Sequence, residues 1–274
     1  MSPEKKIKIA FSPCPNDTFM FHAMLNGLVD TSGFAFEHHL MDIEELNQNA
    51  FEQKYDVTKI SFSAFGHLTD KYVLLNSGAA LGRNCGPLLI SKTPTLAKDI
   101  NELKIAIPGI YTTANLLLSI MWPEAKNKES VLFSEIEDAV LNDKYDAGLI
   151  IHENRFTYKL KGLHKIMDLG EWWENKTGMP IPLGGIVAKE SLGLQSINSI
   201  ERIIKSSIEY AFKYPDASKD FIMQNAQAMD EQVVREHIKL YVNEFSLNLG
   251  SEGKNAIRTL LKKGNKSGIF ENLV

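Results

Sequence analysis

The sequence is short of most features that would announce a specialised protein. Of its 274 residues only Cys14 and Cys85 are cysteines. Two are too few for a disulfide framework and stand in no metal-ligand spacing, although a single bridge stays open. No run approaches the roughly 18 consecutive apolar residues of a membrane span. The amino terminus, Met1 to Lys8, is charged and enters a strand pattern at once, with no apolar signal core behind it. Charge of one sign is scarce too: the net charge is −4, with Lys and Arg spread along the chain. That leaves no cationic footprint for nucleic acid or an acidic membrane surface. Internal repeats and low-complexity segments are absent. A reducing compartment is the simplest fit, so the cytoplasm is the expected location. A small molecule is the expected partner, and a homodimer stays open.

What is present is ordinary for a globular protein, 44% hydrophobic and 23% charged, at a length for one large domain or two. Strands alternate with helices. Ile7, Ile9 and Phe11 alternate with Lys6, Lys8 and Ala10 in a strand pattern, which Ser12-Pro13-Cys14-Pro15-Asn16-Asp17-Thr18 breaks. A helix follows, with Asn16 or Asp17 able to cap it, Phe19, Met20, Ala23 and Met24 as its apolar stripe and Gly27 at its end. Phe34 to Leu40 reads as a strand, and Ile43, Leu46, Ala50 and Phe51 as the stripe of a helix. Val57 to Ile60 is a third strand, running into Ser61-Phe62-Ser63; Tyr72 to Leu75 is another, before the glycine-rich run from Ser77 to Arg83.

Pro87 to Lys92 is strand-like, and Thr93-Pro94-Thr95 reads as a crossing point between lobes. Leu103 to Ile107 starts a new alternation, and Thr112-Thr113 opens a helix that stops before Pro123. Val131 to Phe133 reads as a short strand, with Ser134 and Glu137 at the spacing of a capping box. Ala147 to Ile151, Ile166 to Leu169 and Gly184 to Ala188 are further strands. From Ile200 onward the apolar residues keep helical spacing. The pattern predicts an α/β fold of two lobes: residues 1–92 with 190–274 as the larger, discontinuous lobe and 93–189 as the smaller.

In the stretch from Gly148 to Tyr158 an apolar run stops abruptly at His152. This residue falls at the carboxyl end of a buried strand, the edge where open α/β sheets bind ligands. An imidazole there can exchange a proton near neutral pH; the alternative is a histidine that packs on a neighbour and hydrogen-bonds a carbonyl. Ser12 to Thr18, Ser61 to Ser63 and Thr112-Thr113 each lie where a strand hands over to a helix amino terminus. Such ends bind carboxylates or phosphates through unpaired N–H groups, unless the hydroxyls merely cap their own helices. Lys59 either meets a substrate carboxylate or ends its strand in solvent. Cys14 is a nucleophile at a helix start or a small packing residue. His38-His39 lacks a third ligand, and Arg83 sits in a loop without the lysine and hydroxyl of a phosphate loop. No metal and no cofactor are expected.

Phe11 to Phe19 (Phe-Ser-Pro-Cys-Pro-Asn-Asp-Thr-Phe), Thr58-Lys59-Ile60-Ser61, Ser77 to Arg83, Thr112-Thr113-Ala114 and Gly148 to Tyr158 together carry a resemblance. They are similar to the 1,4-dihydroxy-6-naphthoate synthase family of the futalosine route to menaquinone. The likeness runs nearly end to end, including Asp168 to Trp173 and Tyr241 to Leu247. It implies a two-lobed fold like the type II periplasmic binding proteins, with a ligand cleft between the lobes, used as a carbon–carbon lyase. The implied reaction converts cyclic dehypoxanthine futalosine to 1,4-dihydroxy-6-naphthoate with release of dihydroxyacetone. The family's proton-accepting histidine matches His152, and its substrate-contacting segments fall on Lys59-Ile60-Ser61 and Thr113-Ala114. Ser12, Asn16, Asp17 and Thr112 are further candidates, with Glu153 or Arg155 orienting the histidine loop and Trp172 or Trp173 stacking on the bicyclic ring or covering the core. Two rivals stay open. Chorismate dehydratase has a related fold and performs an elimination; a non-catalytic solute-binding protein should carry an export signal or anchor cysteine.

Overall fold

A computed structural model describes residues 5–226 and 230–270, so residues 1–4 of the Met1 to Lys8 segment lie outside them. The chain opens with β1 (Lys5–Phe11), α1 (Pro15–Leu25), β2 (Phe34–Leu40), α2 (Ile43–Phe51), β3 (Val57–Ser61), α3 (Phe62–Gly66), β4 (Tyr72–Leu74) and β5 (Ala80–Gly82). It continues through β6 (Leu88–Ser91), β7 (Ile105–Ile107), α4 (Thr113–Met121), β8 (Lys128–Ser130), α5 (Ile136–Leu141), β9 (Ala147–Ile150), α6 (Asn154–Thr157), β10 (His164–Asp168), α7 (Leu169–Thr177) and β11 (Ile181–Lys189). The last elements are helices: α8 (Leu194–Lys213), α9 (Lys219–Asn225), α10 (Glu231–Tyr241), α11 (Glu244–Leu247) and α12 (Gly250–Lys266). No helix among the described residues is long and apolar enough to cross a membrane.

Two sheets form two α/β lobes. The first is six-stranded, ordered β2-β1-β3-β11-β4 with β5 beside β11; the second is five-stranded, ordered β10-β6-β9-β7-β8. β3 lies between β1 and β11 and is buried along its whole length, which suits its unbroken Val-Thr-Lys-Ile-Ser run. Successive side chains of a strand point to opposite faces. Ile60 therefore packs with Ala50, Ala64 and Leu68 in the core, while Lys59 and Ser61 face the other way, into a cavity. α8 presents Ile197, Ile200, Ile204 and Ile208 to α1 and β1, a stripe at helical spacing. Each such side chain, fully buried, contributes about 1.5–3 kcal/mol.

The lobe boundary differs from the sequence expectation by one strand at each crossing. Leu88–Ser91, assigned to the larger lobe, pairs with β9 and β10 in the second sheet; Ile181–Lys189, assigned to the smaller, pairs with β3, β4 and β5 in the first. Pro94 follows β6 just past a bend at Lys92 and Thr93, and the chain crosses instead around Arg83 to Pro87. Gly86 is needed there because a Cβ on it would stand 2.3 Å from the Gly170 backbone, which has no side chain to move aside. Gly86→Ala is expected to destabilise by about 1–3 kcal/mol through overpacking. An unchanged urea midpoint would count against this reading of the crossing.

Local differences have physical reasons. The strand expected at Val131 to Phe133 forms instead at Lys128–Ser130, polar because it is an outer strand, and Phe133 turns inward. Ser134 makes no capping box; α5 starts after Glu135, and the buried Glu137 meets the Lys161 ammonium at 2.9 Å. Neither Asn16 nor Asp17 caps α1. Cys14 is its N-cap residue, and both polar residues lie in the first turn, buried against the cavity.

Candidate active site

A cavity opens between the two sheets. Ser12, Asn16, Asp17, Lys59 and Ser61 line it from the first lobe, and Thr112, Thr113, Ala114, Ile151 and His152 from the second. The carboxyl ends of β1, β3 and β9 thus converge on one space, as open α/β sheets place their ligands. The two lobes are stitched across it. Thr113 Oγ1 donates to the Leu183 carbonyl at 2.6 Å and accepts the Ser63 N–H at 3.3 Å. Both Glu44 carboxylate oxygens accept the Tyr111 N–H at 3.2 Å. Gly109, at φ +148°, makes room for this, since a Cβ there would stand 2.3 Å from the Glu44 carboxyl.

Asp17 is the hub of the first-lobe wall. It is buried and pairs with the buried Lys59 ammonium. The Asn16 amide donates to the same oxygen, Oδ1, at 2.8 Å, and Oδ2 accepts the Ser12 hydroxyl at 2.7 Å and the Ser12 N–H at 3.2 Å. A buried ion pair survives desolvation only when its remaining lone pairs are satisfied in this way. Asp17 and Lys59 are the only formally charged residues lining the cavity among those described, so its wall is neutral overall. Ser61 accepts from the Asn47 amide at 3.2 Å, which leaves its own proton to donate. Thr112 caps α4, accepting from the Asn115 N–H at 3.3 Å, and its hydroxyl donates to the Gly109 carbonyl at 2.7 Å. The hydroxyls of Ser12, Thr112 and Thr113 are therefore spent inside the protein. The backbone N–H groups of Thr113 and Ala114, in the first turn of α4, join the Ser61 hydroxyl and the Lys59 ammonium as groups able to meet an anion.

His152 stands two residues beyond β9 in the left-handed region, at φ 57°. A non-glycine residue there costs of order 1 kcal/mol and persists only where its surroundings fix it. Those surroundings are explicit. Cys14 Sγ lies 3.6 Å from Nδ1, Phe133 meets the ring edge-on with centroids 5.0 Å apart, and the His237 ring stacks parallel at 6.1 Å. Arg155, three residues on, grips the Gly86 carbonyl and reaches the Asp168 carboxylate at 3.3 Å. Nε2 is buried and has no hydrogen-bond partner among the described residues.

The family is decided by sequence. The pattern described as menaquinone biosynthesis matches residues 7–266. The chain belongs to the menaquinone biosynthesis family. Within reach of it, a Thermus thermophilus protein named 1,4-dihydroxy-6-naphthoate synthase is 40% identical over 263 residues, covering 96% of this chain and 95% of the relative. A crystal structure of an Archaeoglobus fulgidus protein superposes with a TM-score of 0.90 at 35% identity, covering 97% of this chain and 98% of that one. A Candida albicans protein described as having the generic periplasmic binding protein fold superposes at 0.69 with 14% identity, covering 98% and 92%; this likeness shows the fold alone.

In this menaquinone biosynthesis chain the structure brings Lys59, Ser61, Thr113, Ala114, Ser12, Asn16, Asp17, Thr112 and His152 to one cavity. Five candidates fall outside its lining. Ile60 has its side chain in the core and its backbone paired with Gly185. Glu153 and Arg155 lie behind the histidine loop, and the stacking role of the tryptophans fails: Trp173 is fully buried and donates to the Pro180 carbonyl at 3.1 Å, and Trp172 packs on the same core. Cys14 and Cys85 are free, buried thiols. Burial pushes the Cys14 thiol well up, which removes a thiolate nucleophile. Sequence reading missed Glu44, Asn47, Cys85, Tyr241 and His237. All are polar or small residues on helices or connections whose periodicity marks only the buried face, with nothing to say what that face meets.

Cys14, His152 and Glu153 each offer a ligand atom within 4.8 Å of the others, a set that soft divalent ions favour. The sequence considered only His38-His39, which lies on β2 away from the cavity. An ion held here would have to displace the Cys14 proton and would occupy the one imidazole in the cavity lining.

Burial pushes His152 down to about 4, with Asp17 opposing and Lys59 reinforcing the effect. The folded state then refuses a proton that the unfolded chain accepts near pH 6.5. Its contribution to stability is complete above that pH and is lost as pH falls toward 4. Burial pushes Glu153 and Glu44 up, which runs in the opposite direction, so the useful measure is the difference between wild type and His152→Asn. Between pH 7.5 and 5 that difference should move by about 2 kcal/mol in favour of the variant. Parallel urea-unfolding curves at the two pH values would refute it.

Proposed function

We propose that the chain converts cyclic dehypoxanthine futalosine to 1,4-dihydroxy-6-naphthoate and dihydroxyacetone, with Nε2 of His152 as the proton acceptor. The observation that carries this reading is one buried, neutral, unpartnered imidazole nitrogen in a cleft walled by both lobes, in a chain 40% identical to a named 1,4-dihydroxy-6-naphthoate synthase. For Nε2 to offer a lone pair, the ring proton sits on Nδ1 and donates to Cys14 Sγ, 3.6 Å away. A substrate hydroxyl gives its proton to Nε2. Its C–O bond becomes a carbonyl as the adjacent carbon–carbon bond breaks, and the electron pair passes into the ring that becomes aromatic. The imidazolium returns the proton to that product.

The Thr113 and Ala114 N–H groups and the Ser61 hydroxyl hold the substrate carboxylate, with Lys59 supplying the ammonium protons that Asp17 leaves free. A single well-placed base contributes about 10²–10⁴-fold, and enclosure of the cleft adds orientation and exclusion of water. Incubating the purified protein with cyclic dehypoxanthine futalosine, and separately with chorismate, tests the reading by chromatography. The naphthoate should form from the first substrate alone. Recovery of that substrate unchanged, though bound, would favour a solute-binding protein instead.

A further inference from the structure

His237, on α10, is completely buried beside the cleft and takes no part in the chemistry above. Its hydrogen bonds fix its tautomer. The Asn16 amide nitrogen donates to Asp17 Oδ1 at 2.8 Å, and Asp17 is itself held by Lys59 and Ser12, so Asn16 must turn its carbonyl oxygen away from Asp17. That oxygen lies 2.9 Å from His237 Nε2, which must therefore carry the proton and donate it. Nδ1 of the neutral ring is left as a lone-pair acceptor. It faces Oε2 of Glu153 at 3.7 Å, and both atoms are buried without a hydrogen-bond partner among the described residues.

Two acceptors cannot be left facing each other in a dry interior without cost. One proton between them resolves this, and with both groups buried the neutral pair, a carboxylic acid donating to an imidazole, costs less to desolvate than a carboxylate facing an imidazolium. The two residues come from opposite lobes, and Glu153 directly follows His152 on the strained turn. We propose that His237 is a positioning residue: its Nδ1 accepts a hydrogen bond from the Glu153 carboxyl as the cleft tightens on substrate, and this clasp holds the adjacent His152 ring in place. The gap must shorten from 3.7 Å to the 2.7–3.0 Å of such a bond. Closure of the cleft and placement of the base are thereby one event. The inference rests on the reading of His152 as the base.

The test uses the full-length protein with Glu153→Leu, Glu153→Gln and His237→Gln, each measured for kcat and KM. Glu153→Leu removes the donor, and a misplaced base should lower kcat by about 10–100-fold with KM little changed. Glu153→Gln supplies an N–H donor that needs no titrating proton, so it should rescue kcat to within about threefold of wild type. His237→Gln keeps a donor for Asn16 but loses the Nδ1 acceptor, and should resemble Glu153→Leu. Ring ¹⁵N NMR should show His237 as the Nε2–H tautomer, whatever the kinetics of any one variant. Glu153→Gln as damaged as Glu153→Leu, or wild-type kcat in Glu153→Leu, would overturn the clasp. So would the Nδ1–H tautomer. Activity surviving in His152→Asn would instead remove the base on which the clasp acts, so the two failures are distinguishable.

Discussion

His152→Asn is expected to lower kcat by about 10²–10⁴-fold while leaving the fold and substrate affinity close to wild type at pH 7.5. Asparagine is the informative replacement because it tolerates the left-handed backbone that His152 adopts at φ 57°. Its amide also sits where Nδ1 does, so the contact to Cys14 is retained and the loss is confined to Nε2. Alanine would mix that loss with removal of a half-buried ring from between Phe133 and His237. Single-turnover kinetics with binding followed separately is the decisive measurement. A folded Asn variant that turns over within tenfold of wild type removes the imidazole from the mechanism.

Lys59→Met should destabilise the protein by about 3–5 kcal/mol. Methionine fills much of the volume, but it leaves the Asp17 carboxylate buried and without its cation. The Ser12 and Asn16 donors, set to hold an ionised carboxylate, make a neutral Asp17 a poor way out. Adding Asp17→Asn to Lys59→Met should recover part of the loss, because an uncharged amide needs no partner of opposite sign. Urea unfolding of the two single variants and the double gives the coupling directly. A loss below 1 kcal/mol in Lys59→Met would show that water reaches the pair and that the wall is less dry than its geometry states.

Strands and helices were legible where apolar residues recur at a clear period: β1, β2, α2, β9 and α8 follow from their own side chains. The lobe boundary was not, because Thr93-Pro94-Thr95 looks like a crossing and the deciding constraint, Gly86 against Gly170, joins residues far apart in sequence. His152 was legible from the abrupt end of a buried strand. Ser61 and Ala114 could be placed at helix starts, but whether a hydroxyl is free depends on distant partners. Thr113 is bound to Leu183 and Ser63, and Ser61 to Asn47, and no local pattern contains those bonds. His237 sits in an amphipathic helix as any inward residue does, so its meeting with Asn16 and Glu153 exists only in three dimensions.

The moorings of α4 bear on how this architecture came to serve chemistry. A carrier built on two lobes delivers its cargo by swinging apart, and weak seams suit it. Here Thr113 and Tyr111 tie one half to Leu183, Ser63 and Glu44 of the other, directly over the chamber floor. Parting the halves at that point ruptures all of these bonds together, so wide opening of the chamber is an all-or-none event rather than a gradual one.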